Sequence, residues 1–144
     1  MSDEKLQREA ERWYRQGQDD WEAAQALVAA SKFAQACFYA QQAAETGLKA
    51  VWIRLDSDPW GHSCTRLIRD LPVPAQEHFS ASIELALALD KLYIPTRYPD
   101  ALAELTPAEA FTQAEAQAAL RAAQQILDRV AQWLQQRSTL TTLP

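Results

Sequence analysis

The stretch YIPTRYPDA, residues 93 to 101, concentrates recognition chemistry. Arg97 carries a planar fork of donors suited to a phosphate or a carboxylate. Tyr93 and Tyr98 can stack on a base or on that guanidinium. The competing structural reading pairs Arg97 with Asp100 or with a helix C-terminus and lays the tyrosines over the core. A second polar set lies in QQAAETGLK, where Gln41, Gln42, Glu45 and Lys49 recur in helical steps. Glu45 to Lys49 is the favourable order for an i to i+4 pair, worth a few tenths of a kcal/mol. The row is either that pair facing solvent or a strip facing the Arg97 loop or a second subunit.

His62 follows the breaker PWG and is of the residue type that transfers protons near neutral pH. The plainer reading makes it a cap or a surface residue. His78, between Glu77 and Phe79, reads as exposed. His62 and Cys64 stand two apart, but no second pair completes a zinc site, so no metal is expected. The glycines at 17, 47 and 61 are too far apart for a phosphate-cradling loop, and no serine nucleophile elbow occurs.

These side chains must be positioned by helices. The 144 residues fit one domain, and abundant alanine and glutamine with only 3 glycines favour helix. The net charge of −5 opposes general DNA binding. Two cysteines are too few for a disulfide framework and fit a reducing cytoplasm. The charged start MSDEKLQREAERW lacks the apolar core of a signal peptide, and no run reaches the roughly 18 apolar residues of a membrane helix.

Trp13, Gly17, Trp21, Ala24 and Val28 recur at steps of three and four, which predicts a helix from about Asp3 to Ala30. Gly17 inside that stripe suits close approach by a neighbouring helix. Ser31 is the expected N-cap of a second helix, from Lys32 to about Leu55. DSDPWGH breaks it, and SCTRLIRDL gives a short helix. A third long helix is expected from Pro74 to about Tyr93. Thr106, Pro107 and Glu109 form a capping box that opens the last helix, expected to run to Arg137. The fold class is thus all-α, an up-and-down bundle of four long helices plus one short one. Residues 1–137 form the domain and residues 138–144 a flexible tail.

The runs FYAQQAAETGLKAVW, GHSCTRLIRDL, LDKLYIPTRYPDA and TPAEA, in this order, resemble the HEPN family (higher eukaryotes and prokaryotes nucleotide-binding). The resemblance extends from about Trp13 to Trp133. It implies a five-helix bundle that commonly dimerises and is often encoded beside a minimal nucleotidyltransferase, as toxin and antitoxin. Many members are metal-independent ribonucleases with an Arg and a His that have four to six residues between them. This chain departs from that pattern. His62 follows Arg54 with seven residues between, His78 follows Arg69 with eight, and no histidine follows Arg97. No catalytic residue carries over.

The resemblance therefore implies a binding module for a nucleotide, ATP or GTP, or for a nucleotidyltransferase partner, rather than an enzyme. Its candidate residues are Arg97, Tyr98 and Asp100 of RYPD, Lys49 of LKA, His62 and Tyr93, with no cofactor. Two alternatives stand beside it. One is a degenerate ribonuclease using His62 or His78 with Arg97. The other is a structural partner domain whose interface uses Trp13, Trp52, Trp60 or Trp133.

Overall fold

The structure, a computed structural model, describes the backbone of residues 1–142 and the side chains of residues 1–138. Among these the chain is helical, with no strand. Helix α1 (Asp3–Ala29) is capped by Ser2, whose side chain accepts from the Lys5 amide. It reverses into α2 (Phe33–Arg54). The expected N-cap role of Ser31 does not hold. Ser31 takes φ 61, and the amides of Ser31 and Lys32 return to the carbonyls of Val28 and Leu27. The residue therefore closes α1 as a left-handed C-terminal cap instead of opening α2.

Ser63 caps the short α3 (Cys64–Arg69). The third long element is broken. Val73–Phe79 is α4, Ser80–Ser82 form a 3-10 turn and Ile83–Asp90 is α5. Ser80 Oγ donates to the Glu77 carbonyl at 2.9 Å, a local bond that competes with the helical ladder. The last element is interrupted as well. The Thr106 capping box is present, but it opens only one turn, α6 (Pro107–Ala110), before Phe111 turns extended. Thr112 and Glu115 then form a second reciprocal box that starts α7 (Gln113–Thr142). The helix thus passes Arg137 into the expected tail, of which Leu143 and Pro144 lie outside the described residues.

Named contacts fix the directions. Gln7 Nε2 donates to the Leu134 carbonyl and Trp21 Nε1 to the Leu120 carbonyl, so α1 and α7 are antiparallel. Arg54 on α2 meets Gln7 and Asp3 at the start of α1. His78 bonds the Arg129 carbonyl, so α4 meets the far part of α7 while Leu89 lies beside Ala119. The elements run up, down, up and down around Leu48, Val51, Phe79, Leu89, Ile126, Val130 and Trp133, all buried.

Alanine and glycine let the helices approach closely. A Cβ on Gly17 would lie 3.0 Å from the Ala43 carbonyl oxygen, and one on Gly47 would lie 2.6 Å from Leu127 Cδ2. Gly17 therefore does what its place in the stripe suggests. No described helix is long and apolar enough to cross a membrane.

Candidate functional site

The polar row of α2 does not face open solvent. Gln41 is fully buried and Glu45 is 4% exposed. A carboxylate can sit there only if its charge is met. Lys49 Nζ lies 3.3 Å from Oε2, Gln41 Nε2 donates to Oε1 at 3.3 Å, and His62 Nδ1 lies 3.4 Å from Oε1. Gln41 Nε2 also donates to the His62 carbonyl, and Gln42 Nε2 donates to Gln41 Oε1.

His62 reaches this row because the chain turns at Gly61, with φ 87, and then enters α3. Asp90, at the end of α5, fixes that entry. Its carboxylate accepts from Ser63 Oγ at 2.7 Å, from the Cys64 amide at 2.6 Å and from the Thr65 amide at 3.1 Å. The Asp90 anion thus sits at the positive end of α3. Three residues on, Tyr93 stacks its ring on His62, with centroids 4.9 Å apart.

Arg97 completes the chain of contacts. Its guanidinium carbon lies 4.5 Å from the Tyr93 ring centroid, 4.6 Å from that of Phe38 and 5.0 Å from that of Tyr98. Its Nε donates to the Tyr93 carbonyl at 3.2 Å. No described carboxylate pairs with it. Three rings hold the cation, each contact worth about 0.5–1 kcal/mol at an exposed site. The fork of donors beyond Nε remains exposed.

Of the sequence-predicted set, Lys49, His62, Tyr93, Arg97 and Tyr98 come together through Glu45. Asp100 does not join them. It lies exposed in a 3-10 turn, Pro99–Ala101, and makes no pair with Arg97. Tyr93 is held between His62 and Arg97, whereas Tyr98, which also meets Arg97, is 47% exposed.

Glu45, Gln41 and Phe38 belong to the site although the sequence reading left them out of the candidate set. Their spacing was the available signal, since Phe38, Gln41, Glu45 and Lys49 share one helical face. Asp90 had no such signal, because its partners lie about 26 residues away in sequence.

His78 lies on another face, against Arg129. Among the four tryptophans considered for an interface, Trp60 is 89% exposed, Trp133 is buried, and Trp13 and Trp52 are half-buried. Burial and the neighbouring Asp90 and Glu45 carboxylates push the Cys64 thiol well up. Burial also raises Cys37, to about 12. No described group of three His, Cys, Asp or Glu residues could hold a metal ion. A wider cleft of about 520 Å³ lies elsewhere, between α1 and Thr46 of α2.

Solved structures that share the fold include the following three. The protein TT1696 from Thermus thermophilus is 40% identical, with a TM-score of 0.80 over 85% of this chain and 96% of that one. ST0689, an archaeal HEPN homologue, is 30% identical, with a TM-score of 0.72 over 87% and 97%. An HEPN domain protein from Thermotoga maritima is 26% identical, with a TM-score of 0.64 over 86% and 98%. No curated protein matches the chain. The HEPN domain pattern matches residues 10–133, which takes in most of the bundle and every residue of the His62–Arg97 site, and the chain belongs to the HEPN family.

Proposed function

We propose that this HEPN chain is a nucleotide-binding module. Arg97 takes the phosphate and Tyr98 covers the base. The observation that carries the reading is the state of Arg97, a guanidinium held by three rings and matched by no carboxylate among the described residues. Such a cation is oriented before its anion arrives, which lowers the ordering cost of binding. Lys49 and His62 set the wall behind it through Glu45. In this reading the chain acts as a homodimer, with a minimal nucleotidyltransferase as the partner class that family resemblance suggests, in a two-gene toxin–antitoxin arrangement.

Calorimetric titration of ATP and GTP into wild type and Arg97→Ala tests the site. Affinity that falls tenfold or more, about 1.4 kcal/mol, supports it. Absence of heat with wild type removes the nucleotide reading.

A second reading has its own observation. Glu45 on His62 Nδ1 leaves Nε2 free on an exposed imidazole, and Arg97 stands beyond Tyr93. That is the pairing of an acid/base group with a charge stabiliser that metal-independent RNA cleavage uses. Cleavage in the presence of EDTA, lost in His62→Ala, is its expected outcome. Intact RNA after long incubation rejects it.

A further inference from the structure

The charges around Arg97 set how much anion the site can hold. Arg97 Nε is tied to the Tyr93 carbonyl, and the guanidinium lies against Phe38, Tyr93 and Tyr98. Its terminal fork is the part left for a ligand. One planar fork makes a two-point contact with one phosphate. Lys49 is the cation on the neighbouring face of α2, and it is committed. Its Nζ lies 3.3 Å from Glu45 Oε2, with the two side chains 15% and 5% exposed. Drawing Lys49 to a second phosphate strands a buried carboxylate, which is costly. His62 is separated from Arg97 by the Tyr93 ring, and its Nδ1 is turned to Glu45.

Past Arg97 the chain turns acidic. From Tyr98 to Leu120 it has no Lys or Arg and carries Asp100, Glu104, Glu109 and Glu115. Asp100 and Glu104, the two nearest to Arg97 in sequence, are exposed. Phosphates that extend toward this segment meet charge of their own sign. The segment admits one anionic group at the Arg97 fork and opposes a longer polyanion.

Tyr98 supplies a second, geometric limit. Its ring centroid lies 5.0 Å from the Arg97 guanidinium carbon. A base on that ring is joined to its α-phosphate by a single ribose, while the β- and γ-phosphates lie successively farther out. A ring and a fork this close together match the α-phosphate. We infer that the Arg97 site takes a nucleoside monophosphate unit, and that the β- and γ-phosphates of a triphosphate add nothing to its binding. The assignment narrows the ligand class of the nucleotide reading above and rests on that reading.

The test titrates adenosine, AMP and ATP, without added divalent metal, into wild type, Arg97→Ala and Arg97→Lys. AMP and ATP are expected to bind wild type within about threefold of each other, and adenosine roughly tenfold or more weakly than AMP. Arg97→Ala brings AMP down to the level of adenosine. Arg97→Lys keeps the charge without the fork and recovers part of the loss, which separates the contact from a folding defect. In the phosphorus NMR spectrum of ATP, the α resonance moves on adding wild type and the γ resonance stays. ATP that binds roughly tenfold or more tightly than AMP overturns the assignment and leaves the nucleotide reading standing. A γ resonance that moves as far as the α resonance does the same. AMP that binds no more tightly than adenosine shows that Arg97 holds no phosphate and overturns the assignment. Wild type that binds neither AMP nor ATP removes the nucleotide reading and the assignment together.

Discussion

The Glu45 carboxylate, 4% exposed, lies 3.4 Å from His62 Nδ1 across the gap between α2 and the turn before α3. It joins a charged helix row to the loop that carries the imidazole. Lys49 and Gln41 complete its coordination. Removing the carboxylate leaves the partly buried Lys49 ammonium without a counter-charge. Glu45→Ala is expected to cost on the order of 3 kcal/mol, and Glu45→Gln about 1–2 kcal/mol. Urea unfolding checks both. A cost for Glu45→Ala below about 0.5 kcal/mol, the range of an exposed pair, would mean that water meets this charge.

Asp90 holds the same loop from the other side. Asp90→Ala strands the Cys64 and Thr65 amides and frees Ser63 Oγ. The expected loss is about 1.5–3 kcal/mol, the scale for hydrogen bonds to a charged cap. Amide exchange at Cys64 and Thr65 should accelerate while that of the α1–α7 core keeps its order. Unchanged protection at those two amides would contradict the role given to Asp90.

The close contact of α1, α2 and α7 predicts that better helix formers harm the protein. Ala in place of Gly gains about 1 kcal/mol in an exposed helix. At Gly17 the new Cβ meets the Ala43 backbone oxygen, which has nowhere to retreat, and at Gly47 it meets buried Leu127. Overpacking of about 1–3 kcal/mol outweighs the gain. Both Gly17→Ala and Gly47→Ala are expected to lower the unfolding midpoint, and a rise in either would show that the helices can separate cheaply.

The buried thiols predict an alkaline weakness. Burial holds Cys37 at about 12 and Cys64 well above its ordinary value. In the unfolded chain both ionise near about 8.5. Their folded values are raised, so the unfolded state loses protons first, and stability falls as pH rises above about 8.5. The slope is about 1.4 kcal/mol per pH unit for each thiol. Unfolding curves from neutral pH to about one unit above the free thiol value should show this slope, and Cys37→Ala with Cys64→Ala should flatten it. Neither thiol should react with a soluble alkylating agent until the protein opens.

The bundle was legible from periodicity. Trp13, Gly17, Trp21 and Ala24 on α1, and Cys37, Ala40, Ala44, Leu48 and Val51 on α2, repeat at helical spacing because one face of each helix must be apolar. Local chemistry misled where two signals competed. The capping box at Thr106 is real, yet Thr112 and Glu115 repeat it six residues on, and the second box opens the long helix. Ser31 has the side chain of an N-cap, but Schellman-type closure of α1 claimed it first. At the break, Ser80 Oγ bonds the Glu77 carbonyl, a local contact that competes with the ladder and that spacing does not announce.

The site divides along the same line. The sequence determined the ingredients on one helix face, Gln41, Glu45 and Lys49, and the arginine and tyrosines of YIPTRYPDA, because spacing of three and four residues is set by local geometry. Only the tertiary structure decided that Glu45 meets His62, that Tyr93 is spent between His62 and Arg97, and that Asp100 stands apart. Those relations join residues from separate helices and loops, or turn on the path of the chain between them. They depend on how the helices dock, which no local pattern encodes.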